Sequence, residues 1–439
     1  MHEEWSTNIL LNDPMRMYRA KRDAARKRVT DKYTIQGFIS SGTYGRVYKA
    51  QSKESDGRIY AIKKFKPDKE GDVVTYTGIS QSAIREIALN REMSHENVVA
   101  LKEVILEDKS IYMAFEYAEH DFLQVIHHHS QSRTAVPMPV LKSLTYQLLN
   151  GLLYLHDAHI IHRDLKPANI LITAGGVVKI GDLGLARLTY QPLQPLFMGD
   201  KVVVTIWYRA PELLLGAKHY NKAVDVWAVG CVMAELASLR PIFKGEEAKL
   251  DAKKNVPFQK DQMLKIIEVL GTPQERDWPG LKDLPEYQSL KRLDVYRSRL
   301  NEWCHSRINS KEGFELLCQL FEYDPDKRLT AKEALQHKWF QEEPKPTLNA
   351  FASLAPNQGY PQRRITHDDA PSMIPLPAAN SQAQQLVQAQ AQAAHLSQQL
   401  STHPHSGKAG SAGAASFTSL SGGATGVGSG HGRKKTRLG

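Results

Sequence analysis

From Tyr33 to about Lys109 apolar and polar positions alternate with a period of two, and turn residues separate the runs, which is the pattern of strands. FISSGTYGRVYKAQ predicts two strands around a Gly-bearing turn, RIYAIKKF a third, and SIYMAFEYAEHDF the strand that closes this region and leads out of it. GISQSAIREIALNREMS interrupts the series as a helix. Ile84, Ile87, Ala88 and Arg91 fall on one face at 3.6-residue spacing, and Ser80 or Ser82 is a candidate cap. Beyond Val140 the period becomes helical in PVLKSLTYQLLNGLLYLHDAHI, AVDVWAVGCVMAELAS and QMLKIIEVLGT, the last ending at Gly-Thr-Pro. A strand-rich lobe followed by a helix-rich lobe predicts a bilobal α+β fold with a cleft between the lobes. The lobes fall over about 33–118 and 119–340, and the folded part is expected to end near Phe340.

The flanks are of different material. Residues 1–32 form a basic segment in which RMYRAKRDAARKRVT (16–30) predicts a short helix, either a solvated arm or a docking helix for a partner subunit. Residues 341–439 include a Gln/Ala-rich stretch and a Gly/Ser/Ala-rich stretch, neither apolar enough to offset chain entropy, so a disordered tail is expected there. The net charge of +10 divides as +3 on residues 1–30 and +6 on 344–439, which leaves the middle near +1. Nucleic-acid binding by the core is therefore not expected, because such a domain carries its charge on the folded body. The terminal RKKTR is a candidate nuclear address. Three scattered cysteines with no CxxC pair argue against a disulfide framework or zinc site. No apolar run reaches the roughly 18–20 residues that cross a bilayer, and the acidic N-terminus lacks the layout of a signal peptide.

The candidate chemistry is phosphoryl transfer, which needs a triphosphate held, its charge neutralised and an acceptor hydroxyl oriented. Ile39-Ser40-Ser41-Gly42-Thr43-Tyr44-Gly45-Arg46-Val47 forms a turn between strands where Gly42 and Gly45 let backbone N–H groups approach phosphates. Lys63 on the next strand is placed to reach the α- and β-phosphates. Lys64 faces the other way, and Glu86 on the following helix is the candidate partner of Lys63. In Ile161-His162-Arg163-Asp164-Leu165-Lys166-Pro167-Ala168-Asn169, Asp164 is the candidate proton acceptor, Lys166 the γ-phosphate cation and Asn169 a Mg²⁺ ligand. Asp182, followed by Leu183 and Gly184, is the second Mg²⁺ ligand. Glu212 of Ala-Pro-Glu is expected to pair with Arg328 as a structural clasp, and Asp225 to brace the catalytic-loop backbone. His127-His128-His129 is not expected to bind metal, because consecutive helical residues diverge.

In this order the motifs resemble the eukaryotic protein kinase family across residues 33–340, with Lys166 in HRDLKPAN resembling its serine/threonine branch. Ser40 departs from the family's GxGxxG, where a first glycine belongs, and Leu183 from its usual Phe. The resemblance implies ATP and Mg²⁺ as cofactors, Phe115 behind the adenine, backbone hydrogen bonds from Glu116 and Ala118, and Asp121 near the ribose. VVVTIWYRAPELLLG and SAIREIAL resemble the cyclin-dependent kinases more narrowly. That likeness implies a cyclin against the helix and a pocket for proline shaped by Val203, Val204 and Arg209. Thr43 and Tyr44 stand where relatives receive inhibitory phosphates.

Those relatives also carry a phosphorylated threonine where Asp200 stands, with Arg85, Arg163 and Arg187 in the places of the arginines that gather round it. One reading is that the Asp200 carboxylate partly replaces the phosphate, as one charge against about −1.5 to −2; the other is a solvated loop aspartate. EYAEHDF, the threonine-less loop, the insert GEEAKLDAKKNVPF and YPQRRI resemble the cyclin C-dependent kinases of the Mediator complex, in a fungal-type version. That likeness implies a C-type cyclin, the Mediator kinase-module subunits, the RNA polymerase II C-terminal repeat as substrate, and a nuclear location. A different cyclin-dependent kinase, or a scaffolding pseudokinase, is the competing reading. Degeneration would show at Lys63, Asp164, Asn169 or Asp182, and all four are intact.

Overall fold

The computed structural model describes residues 14–24, 26–42, 45–55, 57–65, 81–107, 110–189, 205–248, 257–355 and 358–366. The chain divides into two units, Met1–Pro371 and Ser372–Gly439, and all described residues belong to the first.

The basic stretch expected as one helix is two: α1 (Pro14–Ala24) and the single turn α2 (Val29–Lys32). Arg28 breaks them with extended backbone, and its N–H is held by the Asp31 carboxylate at 2.8 Å. Val29 is buried, and its N–H donates to the Glu107 carboxylate at 2.8 Å.

Five antiparallel strands follow: β1 (Tyr33–Ser41), β2 (Gly45–Ser52), β3 (Ile59–Phe65), β4 (Leu101–Glu107) and β5 (Ser110–Glu116), in the order β1-β2-β3-β5-β4. Strand alternation sorts β3. Tyr60 and Ile62 join a cluster with Tyr33, Ala50 and Ala114, whereas Ala61 and Phe65 join Ala83, Val99 and Phe115 on the other face. Lys63 shares parity with Ala61 and Phe65. Its neighbour Lys64 instead lies over the Tyr112 ring, 5.3 Å from the centroid.

Helix α3 (Gln81–Glu92) sits in the expected place, with Glu86 turned inward toward Lys63. Ala83, Glu86 and Asn90 are buried, while Ile84 on the apolar face is 53% exposed. Ser82 lies inside the helix, and Ser80 lies outside the described residues.

The second lobe opens with the short strand β6 (His120–Asp121) and helices α4 (Phe122–Ser132) and α5 (Met138–Asp157). The short strands β7 (Ile160–Ile161), β8 (Ile170–Ile172), β9 (Val178–Ile180) and β10 (Arg187–Leu188) follow, and β8 brings Leu171 to the cleft. Helices α6 (Pro211–Leu214), α7 (Ala223–Ser238) and α8 (Lys260–Leu270) come next, then α9 (Tyr287–Leu290), α10 (Leu300–His305), α11 (Lys311–Leu320) and α12 (Ala331–Leu335). Helix α7 is apolar almost all round, as a helix must be at the centre of a lobe. Its Trp227 packs on Phe243 and Phe321. Among the described residues no helix is long and apolar enough to cross a membrane.

The packed body does not end near Phe340, and the tail does not begin at 341. Lys142 donates to the Glu342 carbonyl at 3.0 Å, and Gln147 to the carbonyls of Thr347 and Leu348 at 3.1 and 3.0 Å. Ala350 and Tyr360 are buried. This segment is held by buried polar side chains of α5 that satisfy its carbonyls, a signal that apolar periodicity does not carry. The rest of the expected tail, residues 367–439, lies outside the described residues.

Candidate active site

Lys63, Glu86 and Asp182 come from three separate elements and meet in the cleft. The Lys63 ammonium donates to both Glu86 oxygens at 2.8 Å and to Asp182 Oδ1 at 2.9 Å. Burial alone would lower the Lys63 ammonium, but the carboxylates of Asp182 and Glu86 outweigh it and hold it above its ordinary value. Burial pushes the Glu86 carboxyl up to about 7 against the pull of Lys63. Burial acts the same way on Asp182, where Lys63 prevails and keeps the carboxyl below its usual range. Asp182 has φ of 60°, a left-handed conformation that a non-glycine residue adopts only under constraint from its surroundings.

Asp164 lies on the loop between β7 and β8 with its side chain enclosed by polar partners. Lys166 donates to Asp164 Oδ2 at 2.8 Å, and Asn169 Nδ2 donates to the same oxygen at 2.9 Å and to the Asp164 carbonyl at 2.8 Å. Burial raises the Asp164 carboxyl, with Lys166 opposing. The loop itself is braced from below. Asp225 of α7 accepts the N–H groups of His162 and Arg163, each at 2.8 Å, and its carboxyl is held low against burial by His156. His162, wholly buried, makes a 2.9 Å contact from Nε2 to the Gly181 carbonyl and so ties this loop to the backbone just ahead of Asp182. Arg163 has φ of 67°.

Lys63, Glu86, Asp182, Asp164, Lys166 and Asn169 line one cavity of about 490 Å³, together with Ile39, Ser40, Ser41, Gly42, Gly45, Val47, Phe115, Glu116 and Asp121. Ser40 is accommodated as a strand residue opposite Val47. The two glycines of the turn differ. A Cβ at Gly45 would lie 2.4 Å from the Lys64 carbonyl, so close strand packing demands glycine there, whereas Gly42 is open. Arg46 belongs to β2, opposite Lys64, and does not line the cavity, while Ala118 is fully buried at the hinge. Asp121 caps α4 by accepting the Gln124 N–H at 2.8 Å, and burial raises its carboxyl. Thr43 and Tyr44 lie outside the described residues, as do Asp200, Val203 and Val204.

Of the three arginines expected around Asp200, Arg85 donates to the Gly184 carbonyl and Arg163 to the Leu185 carbonyl, each at 2.6 Å. Arg187 pairs through β10 with Ile161 of β7. All three therefore border the turn after Asp182. Arg209 is buried beside a small pocket with Asp164 and Thr205, and burial lowers its guanidinium to about 10. The Glu212–Arg328 clasp is present at 2.8 and 3.0 Å. The His128 and His129 rings meet edge to face at 5.3 Å and both lie against Tyr360, with His129 buried and bonded to Thr134 and Tyr360; no metal-holding group of three His, Cys, Asp or Glu exists among the described residues.

Sequence reasoning missed several cavity residues: the apolar walls Ala61, Val99 and Leu171, and two arginines, Arg363 and Arg364, from beyond the lobe. Strand parity with Lys63 was signal enough to find Ala61. The arginines belong to the YPQRRI motif, but nothing local marks them as cavity residues, because their place depends on where the chain returns.

A strand-rich lobe and a helical lobe that enclose Lys63, Lys166, the carboxylates of Glu86, Asp164 and Asp182, and the Asn169 amide define a protein kinase. The family model described as protein kinase domain matches residues 33–340, and the chain belongs to that family. It is 58% identical over 362 residues to the serine/threonine-protein kinase ssn3 of Neosartorya fischeri, covering 78% of this chain and 84% of the relative. It is 59% identical over 361 residues to the protein of that name from Yarrowia lipolytica, covering 82% and 89%. The crystal structure of the yeast RNA Pol II CTD kinase CTDK-1 complex superposes with a TM-score of 0.62 at 34% identity, covering 74% of this chain and 97% of that one. The chain is a serine/threonine protein kinase.

Proposed function

We propose that this kinase works with a C-type cyclin in the Mediator kinase module and transfers the γ-phosphoryl of ATP to serines of the RNA polymerase II C-terminal repeat, in the nucleus. The observation that carries the catalytic part is the convergence of Lys63, Glu86, Asp182, Asp164 and Asn169 on one cavity. The biological part is supported by the identity with the ssn3 kinases over most of both chains and by the likeness to a kinase of the polymerase C-terminal domain.

Each residue has a physical role in this reading. Lys63, held charged between two carboxylates, binds the α- and β-phosphates once the nucleotide enters. Glu86 fixes its direction. Asp182, kept ionised, and Asn169, whose Oδ1 is left for a cation while Nδ2 serves Asp164, form an oxygen donor set of the kind Mg²⁺ takes beside phosphates. The ion supplies charge neutralisation between phosphates. Asp164 receives the proton of the acceptor hydroxyl, and Lys166 beside it balances the γ-phosphate charge. Glu116 and Ala118 present backbone groups to the adenine, and Asp121 borders the ribose. Ile84 on α3 and Met15, Met17 and Tyr18 on α1 are exposed apolar groups suited to the cyclin.

The test is phosphorylation of a Ser-Pro repeat peptide by the full chain, with and without purified C-type cyclin and with cell-cycle cyclins as alternatives. Stimulation by the C-type cyclin supports the proposal. Equal stimulation by another cyclin favours a different cyclin-dependent kinase, and nucleotide binding without transfer favours the scaffold.

A further inference from the structure

The chain beyond the kinase lobe returns to the mouth of the cleft. Tyr360 is buried against α4, its hydroxyl 2.9 Å from His129 Nε2. The Pro361 carbonyl lies 2.9 Å from His120 Nδ1. Arg363 then follows the hinge: its backbone N–H donates to the Glu119 carbonyl and its Nη2 to the Ala118 carbonyl, both at 2.8 Å, and its guanidinium lies 5.6 Å from the Tyr117 ring centroid. Three residues later Thr366 pairs antiparallel with Phe38 of β1 through bonds of 2.9 and 3.0 Å. Gly37 makes this approach possible, because a Cβ there would meet Ile365 Cγ2 at 2.3 Å.

One short segment therefore touches a helix of the second lobe, the hinge, and the strand of the first lobe that leads into Ile39-Ser40-Ser41. We infer that Tyr360–Thr366 is a strap that holds the two lobes together around the nucleotide, with Arg363 a positioning residue at the ribose end of the cavity; this rests on the ATP-site reading above. The strap's contacts to α4 and to β1 are made together only while the lobes keep their present separation. Its binding energy therefore favours the closed arrangement over any in which β1 swings away, and a ligand that needs closure binds more tightly in consequence.

Arg363 adds a second effect. By donating to the carbonyls of Ala118 and Glu119 it holds the backbone next to Ala118, one of the two residues proposed to face the base. The guanidinium lines the cavity, and Asp121 opposes the lowering that burial imposes on it. Its Nε is buried without a hydrogen-bond partner among the described residues, a donor suited to an oxygen or ring nitrogen of the occupant.

The experiment compares the full chain with Arg363→Ala, Thr366→Pro and Gly37→Ala, reading both ATP binding by calorimetry and steady-state transfer to a repeat peptide with cyclin. Thr366→Pro removes the N–H that donates to Phe38, and Gly37→Ala displaces Ile365; neither touches the groups that hold phosphate. Expected is a rise of about five- to tenfold in the KM and Kd for ATP in Arg363→Ala and about threefold in the other two. A smaller change in kcat and an unmoved KM for the peptide are expected in all three, a split that general destabilisation does not produce. ATP constants unchanged in Arg363→Ala, or peptide and ATP constants moving together, would overturn the strap. A wild-type chain that binds ATP but transfers nothing would instead overturn the proposed function, while the binding arm still decides the strap.

Discussion

Two ion-pair groups of this molecule have the same bond lengths and opposite purposes. Arg328 meets Glu212 with both side chains shut off from solvent. Its remaining donors go to the carbonyls of Ala223, Glu322 and Tyr323, and its guanidinium stacks 5.1 Å from the Trp227 ring centroid. One charge meets one opposite charge and every donor is used. Lys63, by contrast, stands between two carboxylates at the wall of a cavity, and the side chain of Asp182 remains 35% exposed. That group carries an excess negative charge where a cation can reach it. A structural ion pair closes on itself; a functional one is left electrostatically incomplete, with the missing charge to come from the ligand.

This difference can be broken experimentally. Arg328→Ala should lose the most, about 3–5 kcal/mol of stability in urea unfolding, because it strands the buried Glu212 carboxylate; transfer per folded molecule should stay near wild type. Asp164→Asn should reverse that profile, with kcat down about 10³-fold and ATP affinity within about threefold of wild type. Lys63→Met should cost less than about 1.5 kcal/mol in stability, because Glu86, already pushed up to about 7, takes a proton when its cation is gone, while transfer falls about 10²-fold. A stability loss matching that of Arg328→Ala would erase the distinction.

The smallest effect is on pH. Protonated Glu86 no longer pairs with Lys63, so ATP affinity of the free chain should fall as the pH drops through about 7, and Glu86→Gln should flatten that limb. Stability runs the other way. A carboxyl that binds its proton more tightly folded than unfolded contributes stability below about 4.5 that is lost as the pH rises through about 7. An ATP-binding profile that weakens toward alkaline pH instead would contradict the assignment.

Much of the cleft was legible in the chain because its parts are short and local. HRDLKPAN holds Asp164, Lys166 and Asn169 within one loop, so their mutual geometry follows from a few residues. Strand parity alone separates Lys63 from Lys64. The Glu212–Arg328 clasp and the bracing by Asp225 were likewise expected from their motifs. Helix α3 was less transparent. It buries Ala83 together with the polar Glu86 and Asn90, packs Ile87 and Leu89 against the two lobes, and leaves Ile84 exposed, because a helix that serves a charged site must turn a polar side chain inward.

What the sequence by itself determined is the alternation of elements, the candidate site residues and the class of chemistry, since these depend on side-chain type and on neighbours within a few positions. Only the tertiary structure decided that Lys63 shares its charge between Glu86 and Asp182, that Gly45 is demanded by the β3 backbone, and that packing runs on past Phe340 to Thr366. Each of these joins residues far apart in the chain, the first through side chains of three separate segments and the others through close backbone approach, so no local pattern announces them.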